Sequence, residues 1–189
     1  MAATGRVLEG SAAPILGRMW WAVLLKAFAI ILFGVLAFFW VGHTFAGLST
    51  LFAAYAVLDG MLSVIAAKQG GGFSARRGFA LSGLVSVVAG VAALWPGVTL
   101  ERLDLIIGAW AVARGGLEFA AALKLRQVMQ RDWTLAAIGG LSVVFGVIVL
   151  LISTSIDAWT LVRLLSCYAL IIGLLMFVLA SRFRKSPRP

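Results

Sequence analysis

Cysteine and histidine are almost absent from this sequence, which has one of each among 189 residues, Cys167 and His43. A single cysteine cannot close an intrachain disulfide, and the two residues together do not provide the ligands of a metal site. No Gly-rich segment continues into a phosphate-binding loop, and no nucleophile and base stand at a recognisable spacing. We therefore predict a protein that is not an enzyme and binds no cofactor or metal.

Charged residues are also scarce, at 12%, whereas 62% of the residues are hydrophobic and the mean hydropathy is +1.07. A soluble domain of this size is usually about half apolar and a quarter charged. Runs such as 20–41 and 135–152 reach the roughly 20 apolar residues that cross a bilayer as a helix. The alternating segments of a membrane barrel are absent, so the sequence predicts an all-α integral membrane protein.

Six apolar runs predict six transmembrane helices, over about residues 19–41, 45–67, 78–95, 103–123, 133–152 and 159–180. Lysine and arginine are concentrated in the tails 1–18 and 181–189 and in the second and fourth connections. Basic segments remain on the cytoplasmic side of a membrane. We therefore expect a retained N-terminal tail, both termini in the cytoplasm and a location in the bacterial inner membrane. Topology also accounts for the net charge of +9, so no nucleic-acid partner is expected.

An internal repeat organises these spans. The odd-numbered spans contain glycines spaced 56 residues apart, Gly34, Gly90 and Gly146. The even-numbered spans contain Gly60, Gly115 and Gly173, each five residues after an aromatic residue. The pattern predicts three two-helix hairpins of one orientation, over about 19–68, 77–124 and 132–180, around a pseudo-threefold axis. The glycines are predicted to be sites of close helix packing.

Four charged residues lie inside the predicted spans, in the half nearer the cytoplasm: Lys26, Asp59, Arg114 and Glu118. A charge at the centre of a span costs about 2.5–3.5 kcal/mol on insertion scales, so it is usually paired or functional. Arg114 holds in the second repeat the position of Asp59 in the first. We predict that Asp59 pairs with Arg114 and that Glu118 is a second partner of the arginine.

Two aromatic residues share faces with these charges. Tyr55 precedes Asp59 by one helical turn and could donate its hydroxyl, while Trp110 could stack on the Arg114 guanidinium. The cluster has two main interpretations, a neutral clamp between helices or a site for protons or ions. For Lys26 a third interpretation is that its side chain extends to the headgroups.

Three titratable residues also lie near the predicted outer ends of the spans. His43, in the first outer turn, could sense external acid, although an ordinary loop residue is the simpler interpretation. Glu101 and Asp104 suit the start of the fourth span at the interface, where the helix dipole favours carboxylates.

Short motifs in these hairpins resemble the HdeD family of bacterial acid-resistance membrane proteins. The motifs are "YAVLDG" at 55–60, "WPGVT" at 95–99 and "GAWAVARGGLEFAAA" at 108–122, and the resemblance extends over about 20–180. It implies a six-helix inner-membrane protein associated with acid stress, without known catalytic residues. The first outer turn departs from the pattern, because Val41 stands where proline is expected.

The predicted function is therefore support of acid or envelope stress tolerance, through contact with membrane lipids, further copies of the chain or other membrane proteins. The alternative is a small channel or carrier that moves protons or a small solute by means of the charged residues.

Overall fold

A computed structural model describes residues 21, 23–39, 44–69, 73–125, 134–153 and 157–185 of the chain. Six helices form within these ranges: α1 Val23–Phe39, α2 Phe45–Gln69, α3 Phe73–Ala93, α4 Leu100–Leu125, α5 Thr134–Ile152 and α6 Ala158–Lys185. Each helix coincides with one of the predicted apolar runs. The largest differences at the ends are that α3 begins five residues earlier than predicted and α6 continues to Lys185, inside the predicted tail 181–189.

Three of the helices are long and apolar enough to cross a membrane, judged by length and composition: α2 over Phe45–Ile65, α4 over Leu100–Leu123 and α6 over Ala158–Ser181. The apolar parts of the other three helices are shorter, Val23–Phe39, Ala80–Ala93 and Ala136–Ile152. The prediction of an all-helical membrane protein is confirmed at this level.

The long helices begin in the same way. Thr44, Thr99 and Asp157 immediately precede α2, α4 and α6, and each carbonyl oxygen accepts the backbone N–H four residues later, at 3.1, 2.9 and 3.1 Å. Asp157 also accepts a 2.6 Å hydrogen bond from the Thr160 hydroxyl, which holds the pKa of its carboxyl group below the usual range. The Thr44 hydroxyl also accepts a 3.3 Å hydrogen bond from the Gly47 backbone N–H, one of the amide groups that the first turn leaves unpaired. The turn before α6 therefore keeps a helix-starting residue although its sequence differs from the turns before α2 and α4.

A single backbone feature marks the turn between α3 and α4. Gly97 there has a φ of 87°, a conformation that residues with a Cβ atom rarely adopt. The turn brings the start of α4 back alongside the end of α3.

All six predicted packing glycines lie at contacts between helices. A Cβ atom added to Gly115 of α4 would lie 2.7 Å from the carbonyl oxygen of Gly139 in α5, so the two backbones touch. The same close approach occurs between α2 and α3, where a Cβ atom on Gly83 of α3 would lie 2.8 Å from the carbonyl oxygen of Gly60 in α2. Small residues permit this approach where lipid supplies no hydrophobic driving force between helices.

The first and last helices of the chain also pack together through glycines. A Cβ atom on Gly34 of α1 would lie 3.2 Å from the Cβ atom of Ala169 in α6. One on Gly173 of α6 would lie 2.5 Å from the Ile31 side chain of α1. Helices from the two ends of the chain are therefore neighbours.

Candidate functional site

A buried polar cluster joins the first four helices. It consists of Lys26, Tyr55, Asp59, Ser63, Ser86, Trp110, Arg114 and Glu118, and we call it the polar cluster. Asp59 is 2% exposed, and its Oδ1 atom lies 3.2 Å from Lys26 Nζ and 3.1 Å from Arg114 Nη2. Its other oxygen, Oδ2, accepts a 2.9 Å hydrogen bond from the Ser86 hydroxyl. The predicted contact between Asp59 and Arg114 is present, and one carboxylate serves two cations.

The Arg114 guanidinium uses all three of its nitrogen atoms. Nη2 pairs with Asp59, and Nε donates to Glu118 Oε1 at 3.0 Å. Nη1 donates to the Tyr55 hydroxyl at 3.0 Å, so Tyr55 accepts from the arginine here, whereas we expected it to donate. A buried guanidinium needs such partners, because each N–H removed from water without one is costly.

Trp110 contacts the cluster in two ways. Its ring lies beneath the Arg114 guanidinium, with 5.2 Å between the guanidinium carbon and the ring centroid, as the sequence suggested. In addition, its indole N–H donates to the Ser86 hydroxyl at 3.0 Å. Ser86 thereby connects Trp110 of α4 to Asp59 of α2 through two hydrogen bonds.

Lys26 points into the polar cluster. It is 8% exposed, and its Nζ donates to the Ser63 hydroxyl at 2.7 Å as well as pairing with Asp59. Ser63 in turn donates to the backbone oxygen of Asp59 at 2.8 Å. The interpretation in which the Lys26 side chain extends to the headgroups is therefore wrong, because a carboxylate and a hydroxyl hold its ammonium group in the interior.

The sequence did not single out Ser63 and Ser86 as members of the cluster. A serine in an apolar helix commonly bonds to its own backbone, as Ser142 does to the Ile138 oxygen at 2.9 Å. The one available signal was that Ser86 belongs to the small-residue face of α3, which packs against the helix carrying Asp59.

The charges of the cluster cancel formally, with two cations and two carboxylates. Glu118 is the least buried of them, with 12% of its side chain exposed. Among the described residues, no three His, Cys, Asp or Glu side chains are grouped so that they could hold a metal ion. The arrangement is a network of satisfied ion pairs in which Asp59 and Arg114 are the central members.

A simpler version of this arrangement occurs between α5 and α6. Tyr168 of α6 donates to the Ser142 hydroxyl of α5 at 2.8 Å, which corresponds to the bond between Trp110 and Ser86. Ile172 takes the position of Asp59 and Arg114 there and is 1% exposed. The second and third repeats thus share an aromatic-to-serine hydrogen bond, whereas Asp59 and Arg114 occur only in the first two repeats.

Apolar side chains fill the interior between the polar cluster and the first turns of α2, α4 and α6. Leu48, Leu103 and Leu161 occupy matching positions one turn into α2, α4 and α6, and all three are 0% exposed. Phe52, Ile107 and Leu165, one turn further along, are also at most 1% exposed. These two sets of three side chains form two levels in the interior, and both levels are filled by apolar groups.

Asp104 is an exception at the outer end. It is 0% exposed, and among the described residues neither carboxyl oxygen has a hydrogen-bond partner. Asp104 is therefore buried between helices, whereas Glu101, in the same helix start, is exposed. Position along a helix determines depth, but the packing of neighbouring helices determines burial.

His43 and the tail 1–18 lie outside the described residues. Cys167 is exposed on α6, and Arg163 stacks on the Trp159 ring at 4.3 Å.

A family model for a short repeat of unknown function (DUF308) matches the chain twice, over residues 25–95 and 81–151. Together the two matches cover more than half of the chain. The chain belongs to this family. The second match begins 56 residues after the first, which is the spacing of Gly34 and Gly90. None of the curated proteins and none of the solved structures that were compared matches the chain.

Each DUF308 match covers a group of consecutive helices. The first match spans α1 to α3 and the second spans α3 to α5, so the two matches overlap on α3. All residues of the polar cluster lie within the matched part, 25–151. The repeat and the apolar helices together indicate a membrane protein with internal duplication.

Proposed function

We propose that this DUF308 protein is a non-enzymatic protein of the bacterial inner membrane that supports tolerance of acid or other envelope stress, as its resemblance to the HdeD family implies. The observation that carries the proposal is the polar cluster, in which the buried charges are paired with one another. Paired charges suit a helix-packing role, because a conducting or catalytic site needs a group that is free to bind or to exchange a proton.

The proposed architecture is three hairpins around a pseudo-threefold axis, with six spans. It is supported by equivalent packing at three helix pairs. Gly60, Gly115 and Gly173 each approach a backbone nitrogen on the neighbouring helix, that of Val87, Val143 and Ile31. Those three residues are themselves spaced 56 apart. The same contact thus recurs between α2 and α3, α4 and α5, and α6 and α1.

In this proposal the polar cluster is a clamp that fixes the order of the helices around the axis. One carboxylate, Asp59, connects α2 to α1 through Lys26, to α3 through Ser86 and to α4 through Arg114. A wrong neighbour would leave at least one of these charges buried without a partner, which is expensive in a low-dielectric interior. The clamp therefore favours one helix arrangement over its near-symmetric alternatives.

The alternative function, a carrier for protons or a small solute, has two observations in its favour. The buried carboxyl group of Asp104 has no hydrogen-bond partner among the described residues. Glu118 retains 12% of its side-chain exposure, so the cluster reaches towards the surface there. The levels formed by Leu48, Leu103 and Leu161 and by the residues one turn below them favour the packing role, because hydrocarbon levels oppose the passage of water and ions. Both termini are proposed to face the cytoplasm, in accordance with the basic tails.

A deletion strain tests the proposed function. We expect the strain to survive acid exposure less well than its parent, and the wild-type gene to restore survival. Asp59→Asn should restore survival in proportion to the amount of folded protein in the membrane, because its effect is on stability. Equal survival of deletion and parent at every pH would refute the stress role.

Liposomes distinguish the two functions. Purified wild-type protein should leave a pH gradient intact, as should Asp59→Asn. A proton flux that wild type supports and Asp59→Asn abolishes at equal protein content would establish the carrier instead.

A further inference from the structure

An apolar groove lies outside the polar cluster, at the ends of α3 and α4 that the Gly97 turn connects. It has a volume of about 410 Å³ and is lined by Ala92, Trp95, Val98, Arg102, Leu105 and Ile106. We call it the α3–α4 groove. Trp95 is 69% exposed at its edge. Five of its six lining residues are apolar, so a lipid acyl chain can lie against them.

Arg102 gives the α3–α4 groove a charged rim. It is exposed in the first turn of α4, where the candidate span Leu100–Leu123 begins. Its Nη1 atom donates to the Gly97 backbone oxygen at 3.3 Å. Since a guanidinium has five N–H donors, the side chain is anchored and still has donors available.

Glu101 completes the charges at this helix start. It is exposed and adjacent to Arg102, so the first turn of α4 carries one positive and one negative group. Such a pair is complementary to a headgroup that contains both a phosphate and an ammonium group. A headgroup with a net negative charge would meet the Glu101 carboxylate without compensation.

We propose that the α3–α4 groove binds a zwitterionic glycerophospholipid of the phosphatidylethanolamine class. One acyl chain lies on the apolar lining, the phosphate contacts Arg102, and the ammonium group faces Glu101. Guanidinium groups bind phosphate oxygens through directed, charge-assisted hydrogen bonds. Exposed tryptophans such as Trp95 prefer the level of the headgroups. The assignment rests on the proposed membrane location and adds a defined lipid to it.

In the part of the chain that the structure describes, neither of the other two repeats has an arginine at the corresponding position. The positions that correspond to Arg102 are Gly47 in α2 and Thr160 in α6. Arg163 is exposed near the start of α6, but its guanidinium stacks on Trp159 at 4.3 Å and it does not line the groove. The lipid site is therefore specific to the second hairpin, and Arg163 provides a matched control.

Native mass spectrometry of the full chain in detergent tests the site, with phosphatidylethanolamine titrated against the protein. Arg102→Gln should weaken the tightest lipid-binding event about tenfold, the loss expected for one hydrogen bond with a charged group. Ala92→Leu fills the apolar lining and should weaken it as well while leaving both charges in place. Arg163→Gln should bind as wild type does.

Phosphatidylglycerol with the same acyl chains tests the headgroup assignment and should bind more weakly than phosphatidylethanolamine. Thermal midpoints show whether each variant is folded, and the two groove variants change the site in independent ways. The proposal is overturned if Arg102→Gln and Ala92→Leu both match wild type, or if phosphatidylglycerol binds as tightly. These results concern purified protein, so they are separate from the survival of the deletion strain.

Discussion

Removal of one charge from the centre of the polar cluster should destabilise the protein strongly. Asp59→Asn keeps the size of the side chain but leaves Lys26 and Arg114 buried without their shared carboxylate, which lies 3.2 and 3.1 Å from them. Breaking a buried ion pair by removing one partner typically costs about 3–5 kcal/mol. We expect Asp59→Asn to be in this range, because Glu118 compensates only part of the remaining positive charge.

Arg114→Gln should cost less, about 2–3 kcal/mol, because Asp59 keeps Lys26 and Ser86 as partners. The double variant removes both members of the central pair. Its total loss should therefore be smaller than the sum of the single losses, by about 1–3 kcal/mol, as is usual for residues in direct contact. Unfolding of the protein in mixed micelles, followed by helical circular dichroism, measures all four free energies.

A hydrogen bond at the end of α5 supplies the control for this cycle. Ser153→Ala removes the 3.2 Å hydrogen bond from the Ser153 hydroxyl to the Leu150 backbone oxygen and should cost about 1 kcal/mol. Combined with Asp59→Asn, its loss should be additive to within about 0.5 kcal/mol. Additive losses for Asp59 and Arg114 as well would refute the clamp, since contact in a shared network requires coupling.

Three further variants test other parts of the structure. Asp104→Leu should raise the free energy of unfolding by about 1–3 kcal/mol, because it removes a buried carboxyl group that has no hydrogen-bond partner among the described residues. A lower free energy of unfolding in micelles would show that the carboxyl group has a partner. Gly115→Ala should lower the thermal midpoint of the protein, since its Cβ atom would lie 2.7 Å from the Gly139 carbonyl oxygen. Gly116→Ala should leave the midpoint unchanged, because its Cβ atom would meet nothing within 4 Å. Equal effects of the two variants on the midpoint would contradict that packing. Lys26→Met should cost about 1–3 kcal/mol by removing one of the two cations of the cluster, and an unchanged midpoint would place Lys26 at the headgroups.

Helix positions were predictable because each span requires a long apolar run, and such runs are visible in the composition of a short window. The predicted ends were less accurate. At the start of α3 the helix includes Arg76 and Arg77, which hydropathy assigned to the connection. A charged side chain ends an apolar run without ending the helix, because the backbone hydrogen bonds continue into the interface.

The core of the polar cluster was also predictable, since the repeat places Arg114 at the position of Asp59 and opposite charges at one depth attract each other. The hydroxyl partners Ser63 and Ser86 were not, and neither was the direction of Lys26. A serine or lysine in an apolar helix has several local alternatives, and only the facing helix determines which one is used.

By itself, the sequence determined the membrane class, the helices, the repeat and the need for the buried charges to be paired. Each of these follows from local composition or from spacing along the chain. Only the tertiary structure decided that Asp104 is buried without a partner among the described residues, that Lys26 joins the cluster and that α6 packs against α1. These features depend on which helix surfaces face one another, and such contacts join residues that are far apart in the chain.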